Sequence, residues 1–165
     1  MASKNQTKII AEAGKQELFI IREFEATREL VFHAFTDKDI LVQWIGPREM
    51  STRYEKFEPK EGGSYRFVQT SSDGMEFAFR GVCHDHTPPE RIIQTFEFEG
   101  LPEKGHVVLE TTKFESLPKG RTRITTQSIF QSVADRDGMI KSGMEHGVVT
   151  SYERLDELFE TAKIK

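Results

Sequence analysis

Between Ser51 and Gln131 the chain alternates apolar and polar residues with a period of two, in six consecutive segments. STRYEKFE, SYRFVQT, MEFAFRGVCHDH, RIIQTFEFEG, HVVLETTKFES and RTRITTQSIFQ are separated only by PKEGG, SSDG, TPPE, LPEKG and LPKG. Alternation marks strands with one buried face, and clusters of Gly, Pro, Asp and Ser mark the turns between them. Connections this short cannot carry the crossover that parallel pairing needs, so the six strands form an antiparallel meander. Several strands would turn an aromatic or small-residue face inward: Tyr65 with Phe67, Phe77 with Phe79 and Gly81, Phe96 with Phe98.

The flanks of the meander read differently. TKIIAEA and ELFIIREFEA are extended segments rich in Ile and Phe. ATRELVFHAFTD predicts a short helix capped by Thr27, and DKDILVQWIGP a second one that opens at Asp37 and stops at Gly46 and Pro47. After the last strand, a helical pattern runs from about Asp135 to Ala162. On one continuous wheel, Ile140, Gly143, Met144, Gly147, Val148, Ser151, Leu155, Leu158 and Phe159 share an inner arc, with Ser142, Glu145, Glu153, Asp156 and Glu160 opposite. Each glycine inside a helix costs about 0.8–1 kcal/mol relative to alanine. Gly143 and Gly147 therefore predict either volume left open beside the sheet or a close helix–sheet approach, and the sequence does not separate the two.

Composition excludes several classes of function. With 165 residues the chain is read as one domain, 1–165, with 1–7 as a polar N-terminal tail. A net charge of −4 and the lack of any dense Lys/Arg run argue against nucleic-acid binding. No apolar run approaches membrane-spanning length, there is no signal-like h-region, and the single cysteine cannot pair within the chain. The expected location is cytoplasmic.

Candidate chemistry is sparse. His84, Asp85 and His86 would place two imidazoles on one strand face, a spacing that can hold a metal, but no third ligand accompanies them. A solvated strand end is the commoner reading, so no metal site is expected. Cys83 has no adjacent Lys or Arg to lower its pKa and reads as a small buried hydrophobe. No G-x-S-x-G elbow marks a nucleophile, so no catalytic set is assigned and no cofactor is implied. By parity Gln94 follows Phe96 and Phe98, Glu110 follows Val108, and Gln127 follows Ile129. Glu110 could stand inside as a carboxyl of raised pKa, though an outward residue with a cross-strand charge partner is the commoner case.

IIREFEATRELVFHAFTD (20–37), QWIGP (43–47), GGSYRF (62–67), FRGVCHDHTPPERIIQTFEFEG (79–100) and RDGMIKSGMEHGVVTSYERLDELF (136–159) together resemble the START-like, helix-grip superfamily. Within it the resemblance is to bacterial homologues of the activator of the heat-shock-90 chaperone ATPase, and it spans about residues 17–160. It implies an α+β fold in which a curved antiparallel sheet wraps a long C-terminal helix, with two short helices after the first strand. It also implies a cavity between sheet and helix, which members of the superfamily use for hydrophobic ligands. Strand parity and helix phase then nominate Trp44, Phe67, Phe79, Phe96, Met139, Met144 and Gly147 as its lining. Trp44 could stack on a ligand there, though plugging the core is its commoner role.

The expected function is to bind a hydrophobic small molecule. The alternatives are a chaperone ATPase activator-like cochaperone, or a cyclase- or hydrolase-like enzyme using the same cavity. The eukaryotic activator has a separate N-terminal domain for which this sequence has no room, so a chaperone partner is the weaker expectation. A homodimer is compatible with the sequence.

Overall fold

The computed structural model describes residues 5–161. Eight strands form one antiparallel sheet: β1 (Lys8–Ile10), β2 (Glu17–Phe24), β3 (Ser51–Phe57), β4 (Ser64–Thr70), β5 (Glu76–Thr87), β6 (Arg91–Phe98), β7 (Val107–Leu117) and β8 (Arg121–Ile129). Their spatial order is β1-β2-β8-β7-β6-β5-β4-β3. The six-stranded meander is present as expected, and β2 closes it by pairing along its whole length with β8. The tail was expected over 1–7. Residues 1–4 lie outside the described residues, while Asn5 donates from its amide to Glu25 and Thr7 accepts from the Arg22 guanidinium.

Two short helices fill the space between β2 and β3. The Thr27 hydroxyl accepts from the Leu30 amide to start α1 (Arg28–Thr36). The Asp37 carboxylate accepts from the amides of Asp39 and Ile40 to start α2 (Lys38–Trp44). These caps satisfy donors that no helical carbonyl can reach, which is why both helices begin where the sequence places them.

The C-terminal helix departs from the expected single rod. It is two helices, α3 (Val133–Lys141) and α4 (Met144–Glu160), joined at Ser142 and Gly143. Gly143 has φ of +89°, a left-handed conformation that side chains disfavour. Its glycine is therefore explained by backbone geometry at a helix joint, not by packing.

The structure also corrects the helical wheel at two positions. Ile140 belongs to α3 and is exposed, whereas Asp156, placed on the solvent side by the wheel, is buried. Tyr152 and Asp156 join Ser151, Leu155 and Leu158 on a buried face of α4 wider than a single apolar stripe. It is wide because α4 is covered on one side by the sheet and on another by the end of α2. The Gly46 amide donates to the Ser151 hydroxyl, and Arg154 donates to the carbonyls of Gln43 and Gly46.

The main core sits under the C-terminal half of α4. Leu155 and Leu158 pack there with Phe24, Val31, Phe32, Trp44, Phe114 and Ile124. Phe24 meets Tyr152 and Phe159 edge-on, with ring centroids 5.5 and 5.9 Å apart. The outward face of β3–β6 is solvated by ion pairs, with Arg66 between Glu55 and Glu99 and Arg80 on Glu97.

Candidate functional site

The inner face of the sheet changes character from one side to the other. On β2 and β8 it is closed, with Leu18, Ile20, Phe24, Ile124, Thr126 and Ser128 all buried. On β4–β6 it carries a row of rings. Tyr54 lies 5.2 Å from Phe67, Phe67 stacks on Phe79 at 5.0 Å, and Phe79 on Phe96 at 5.3 Å and against Phe98 at 5.2 Å. Gly81 belongs to this face because a side chain there would strike the Thr95 carbonyl and the ring of Tyr65. The Tyr65 hydroxyl donates to that same carbonyl at 2.6 Å, which fixes its ring beside the row.

The seven residues expected to line the interior take different places. Phe67 is buried, and Phe79 and Phe96 are half-buried members of the ring row. Met139 and Met144, half-buried on either side of the helix joint, pack against the main core. Trp44 is 3% exposed and its indole N–H donates to the Ala34 carbonyl at 3.1 Å. Its ring partners are Phe35 and Tyr152, so it fills the core between α1, α2 and α4. Gly147 follows Ser151 and Leu155 back along the inner face of α4. No atom lies within 4 Å of the position its Cβ would occupy. Of the two meanings open for that glycine, space rather than close approach fits this geometry.

A polar group stands among these apolar surfaces. Glu110 on β7 is the direct cross-strand partner of Gln94 on β6 and of Ser128 on β8. It shares its face with buried Val108 and Phe114, so it points inward, and the outward reading given to it from sequence is corrected. Burial pushes its carboxyl up to about 7, while the Gln94 and Ser128 side chains, in hydrogen-bonding reach, pull the other way. Yet Glu110 and Gln94 both keep part of their surface accessible. The charge of Glu110 is felt by Tyr65 on β4 and Tyr152 on α4, whose hydroxyls burial holds well above the usual phenol range. Tyr152 also reaches Thr126, whose hydroxyl shares a 2.9 Å hydrogen bond with that of Thr112. Gln127, by contrast, faces outward and donates to Glu17 at 2.9 Å.

Sequence reasoning turned Tyr65 inward without linking it to Glu110, and it passed over Ser128 and Tyr152. The strand register would have found Ser128, since it lies opposite Glu110 once the LPKG turn is set. Tyr152 falls at the edge of the inner arc, and only the packing of α2 against that side of α4 buries it.

The histidine pair does not assemble. The register of β5 against β6 shifts between Cys83 and Asp85, so His84 falls at an irregularity and is exposed. His86 packs edge-on against Phe32 at 5.3 Å. Asp85 is taken by Arg91, which donates to it at 2.7 Å and holds its carboxyl below the usual range. No cluster of three potential metal ligands occurs among the described residues. Cys83 is buried, and burial pushes its thiol up, away from nucleophilic character.

Two surface hollows lie elsewhere. One, of 260 Å³, is on the outer side of α4 around Arg48, Arg154 and Glu157; the other, of 330 Å³, lies between α1 and β5 around His33, His86, Pro88 and Pro89. Both are open to solvent, and neither contains the ring row.

The geometry so far is that of a sheet gripping a helix, with an interior of aromatic rings, one inward-facing and partly accessible carboxyl, and a space facing Gly147. A sequence model of the Activator of Hsp90 ATPase homolog 1-like protein family matches residues 25–160. The chain belongs to that family. Among solved structures, a crystal structure of a Rhodobacter sphaeroides protein is similar over 94% of this chain and 99% of its own, with 25% identity and a TM-score of 0.84. The solution structure of an Arthrobacter aurescens protein covers 93% and 91%, also at 25% identity and a TM-score of 0.84. A Silicibacter pomeroyi protein titled AHSA1 shares the fold at 19% identity, a TM-score of 0.73, and coverage of 88% and 99%. No curated protein matches the chain in sequence. The Activator of Hsp90 ATPase homolog 1-like family comprises small ligand-binding or cochaperone-like proteins, and membership alone specifies neither a ligand nor a partner. No helix among the described residues is long and apolar enough to cross a membrane.

Proposed function

We propose that the protein binds an apolar small molecule between the N-terminal half of α4 and the ring row of β4–β6. The observation that carries the reading is Gly147: it lies on the inner face of a helix, with ordinary helical backbone, and nothing fills the space beside it. Phe79, Phe96, Met144 and Val148 turn toward the interior and remain half-buried, which is how side chains bordering a binding space differ from those of a filled core. Trp44 and the main core beneath the C-terminal half of α4 form the rigid floor of the arrangement.

Native mass spectrometry of protein purified from its own host tests the proposal, and a co-purifying apolar molecule of defined mass is the expected result. Nile red fluorescence gives the second test. The parent protein should bind the dye saturably, and Gly147→Leu should lose that binding while remaining folded. Failure of the parent to bind dye or retain any molecule, together with a lowered melting temperature for Gly147→Leu, would end the proposal. Stimulation of a chaperone ATPase, the activity in the family's name, is the competing role. A steady-state ATPase assay with the chaperone of the same organism separates the two, and a saturable several-fold rise in rate would replace the ligand-binding reading.

A further inference from the structure

The polar row across the sheet interior says more about the occupant than the aromatic walls do. Gln94, Glu110 and Ser128 stand side by side on three adjacent strands, facing inward. Neighbouring strands lie about 4.8 Å apart, so the amide and the hydroxyl flank the carboxyl on either side, close enough that both act to lower its pKa. Both flanking groups can donate to the carboxylate, but neither carries a charge that would neutralise it. The buried guanidinium on the same face of the sheet, Arg22, is engaged by Asp156 at 2.5 Å. Tyr65 from the sheet and Tyr152 from the helix feel its charge, and on the same inner face Phe96 stands on the adjacent strand β6, with Phe79 beyond it on β5.

We infer that the bound molecule carries a protonated amine on its apolar frame, and that Glu110, supported by Gln94 and Ser128, receives the N–H. A carboxylate enclosed without a counter-charge is costly, and an entering cation removes that cost while making a charge-assisted hydrogen bond. The ring row on the same inner face, with Phe96 on the adjacent strand, favours a cation over an anion in the space it borders. A molecule with a carboxylate head would have to protonate Glu110 or itself before it could enter.

This inference rests on the ligand-binding reading above, and its test separates the two. Three fluorescent probes with one frame are compared: 2-naphthylethylamine, 2-naphthylethanol and 2-naphthylacetate. The wild-type protein should bind the amine about tenfold or more tightly than the alcohol, and the carboxylate weakest. In Glu110→Gln, a near-isosteric change, the amine should lose that advantage while the alcohol binds as before. Should Glu110→Gln fail to fold, the wild-type protein still decides the matter through pH. Amine affinity should rise between pH 6 and 8 as Glu110 ionises, and alcohol affinity should not. The groups facing Glu110 from β4 and α4, Tyr65 and Tyr152, stay protonated throughout that range, so they do not contribute. Equal binding of all three probes, or an amine preference that survives Glu110→Gln, would overturn the inference and leave the cavity reading standing. Binding of none of them would overturn both.

Discussion

The Arg22 guanidinium on β2 donates to the Asp156 carboxylate on α4 at 2.5 Å, with both side chains withdrawn from solvent and the guanidinium 5.0 Å from the centre of the Phe24 ring. The pair ties the C-terminal half of the gripped helix to the strand that closes the meander. A buried pair of this kind adds little net stability against an apolar replacement, but losing one partner strands the other charge. Asp156→Leu or Arg22→Met should therefore each cost about 3–5 kcal/mol, and the two together should recover most of it. Urea denaturation of the four proteins in the cycle checks this. Additive losses in the double variant would show that the two residues do not act as a pair.

The two glycines of the C-terminal segment should respond in opposite directions to the same substitution. Gly147→Ala places a methyl in open space on a helix and should stabilise by up to about 1 kcal/mol. Gly143→Ala forces a side chain into a left-handed conformation and should destabilise by about 1–2 kcal/mol. Thermal melting of the two variants is sufficient, and melting shifts of the same sign would contradict the assignment.

Gly147→Leu extends the same logic to function. Leucine gains nearly 1 kcal/mol of helix propensity over glycine and meets no atom on entry, so the variant should melt no lower than the parent. Overpacking, had the helix touched the sheet at this point, would instead cost about 1–3 kcal/mol. Calorimetry in the absence of any dye isolates this stability effect from ligand binding.

Glu110 gives the stability a recognisable pH dependence. Its folded-state value of about 7 lies above the ordinary carboxyl value of 4.5, so the folded protein binds the extra proton. The contribution is fully present below about pH 4.5 and is lost as pH rises through 7. Relative to the wild type, Glu110→Gln should gain roughly 2–3 kcal/mol between those limits and hold it above pH 7. Denaturant midpoints of both proteins from pH 4 to 8 provide the measurement, and parallel profiles would mean that Glu110 titrates normally.

Much of the fold was written in the sequence in local form. Alternation set the six strands, short turns made them antiparallel neighbours, and Thr27 and Asp37 fixed the starts of two helices through hydrogen bonds spanning three residues or fewer. Such features are decided by residues adjacent in the chain, so they can be read there. What the tertiary structure alone decided lies at the site. Period two divides β7 into two faces without saying which is inside, because Leu109 is exposed and Glu110 is not left to solvent. Only the burial of Val108 and Phe114, on the same face as Glu110, settles that question. Asp156 fell opposite the apolar arc by its helical angle, yet it is buried because a guanidinium 134 residues away supplies its partner. Gly143 looked like a packing residue until its backbone turned left-handed and divided one helix into two. In each case the deciding energy comes from a group distant in sequence, or from the direction of a second helix axis, and neither is encoded in a local pattern.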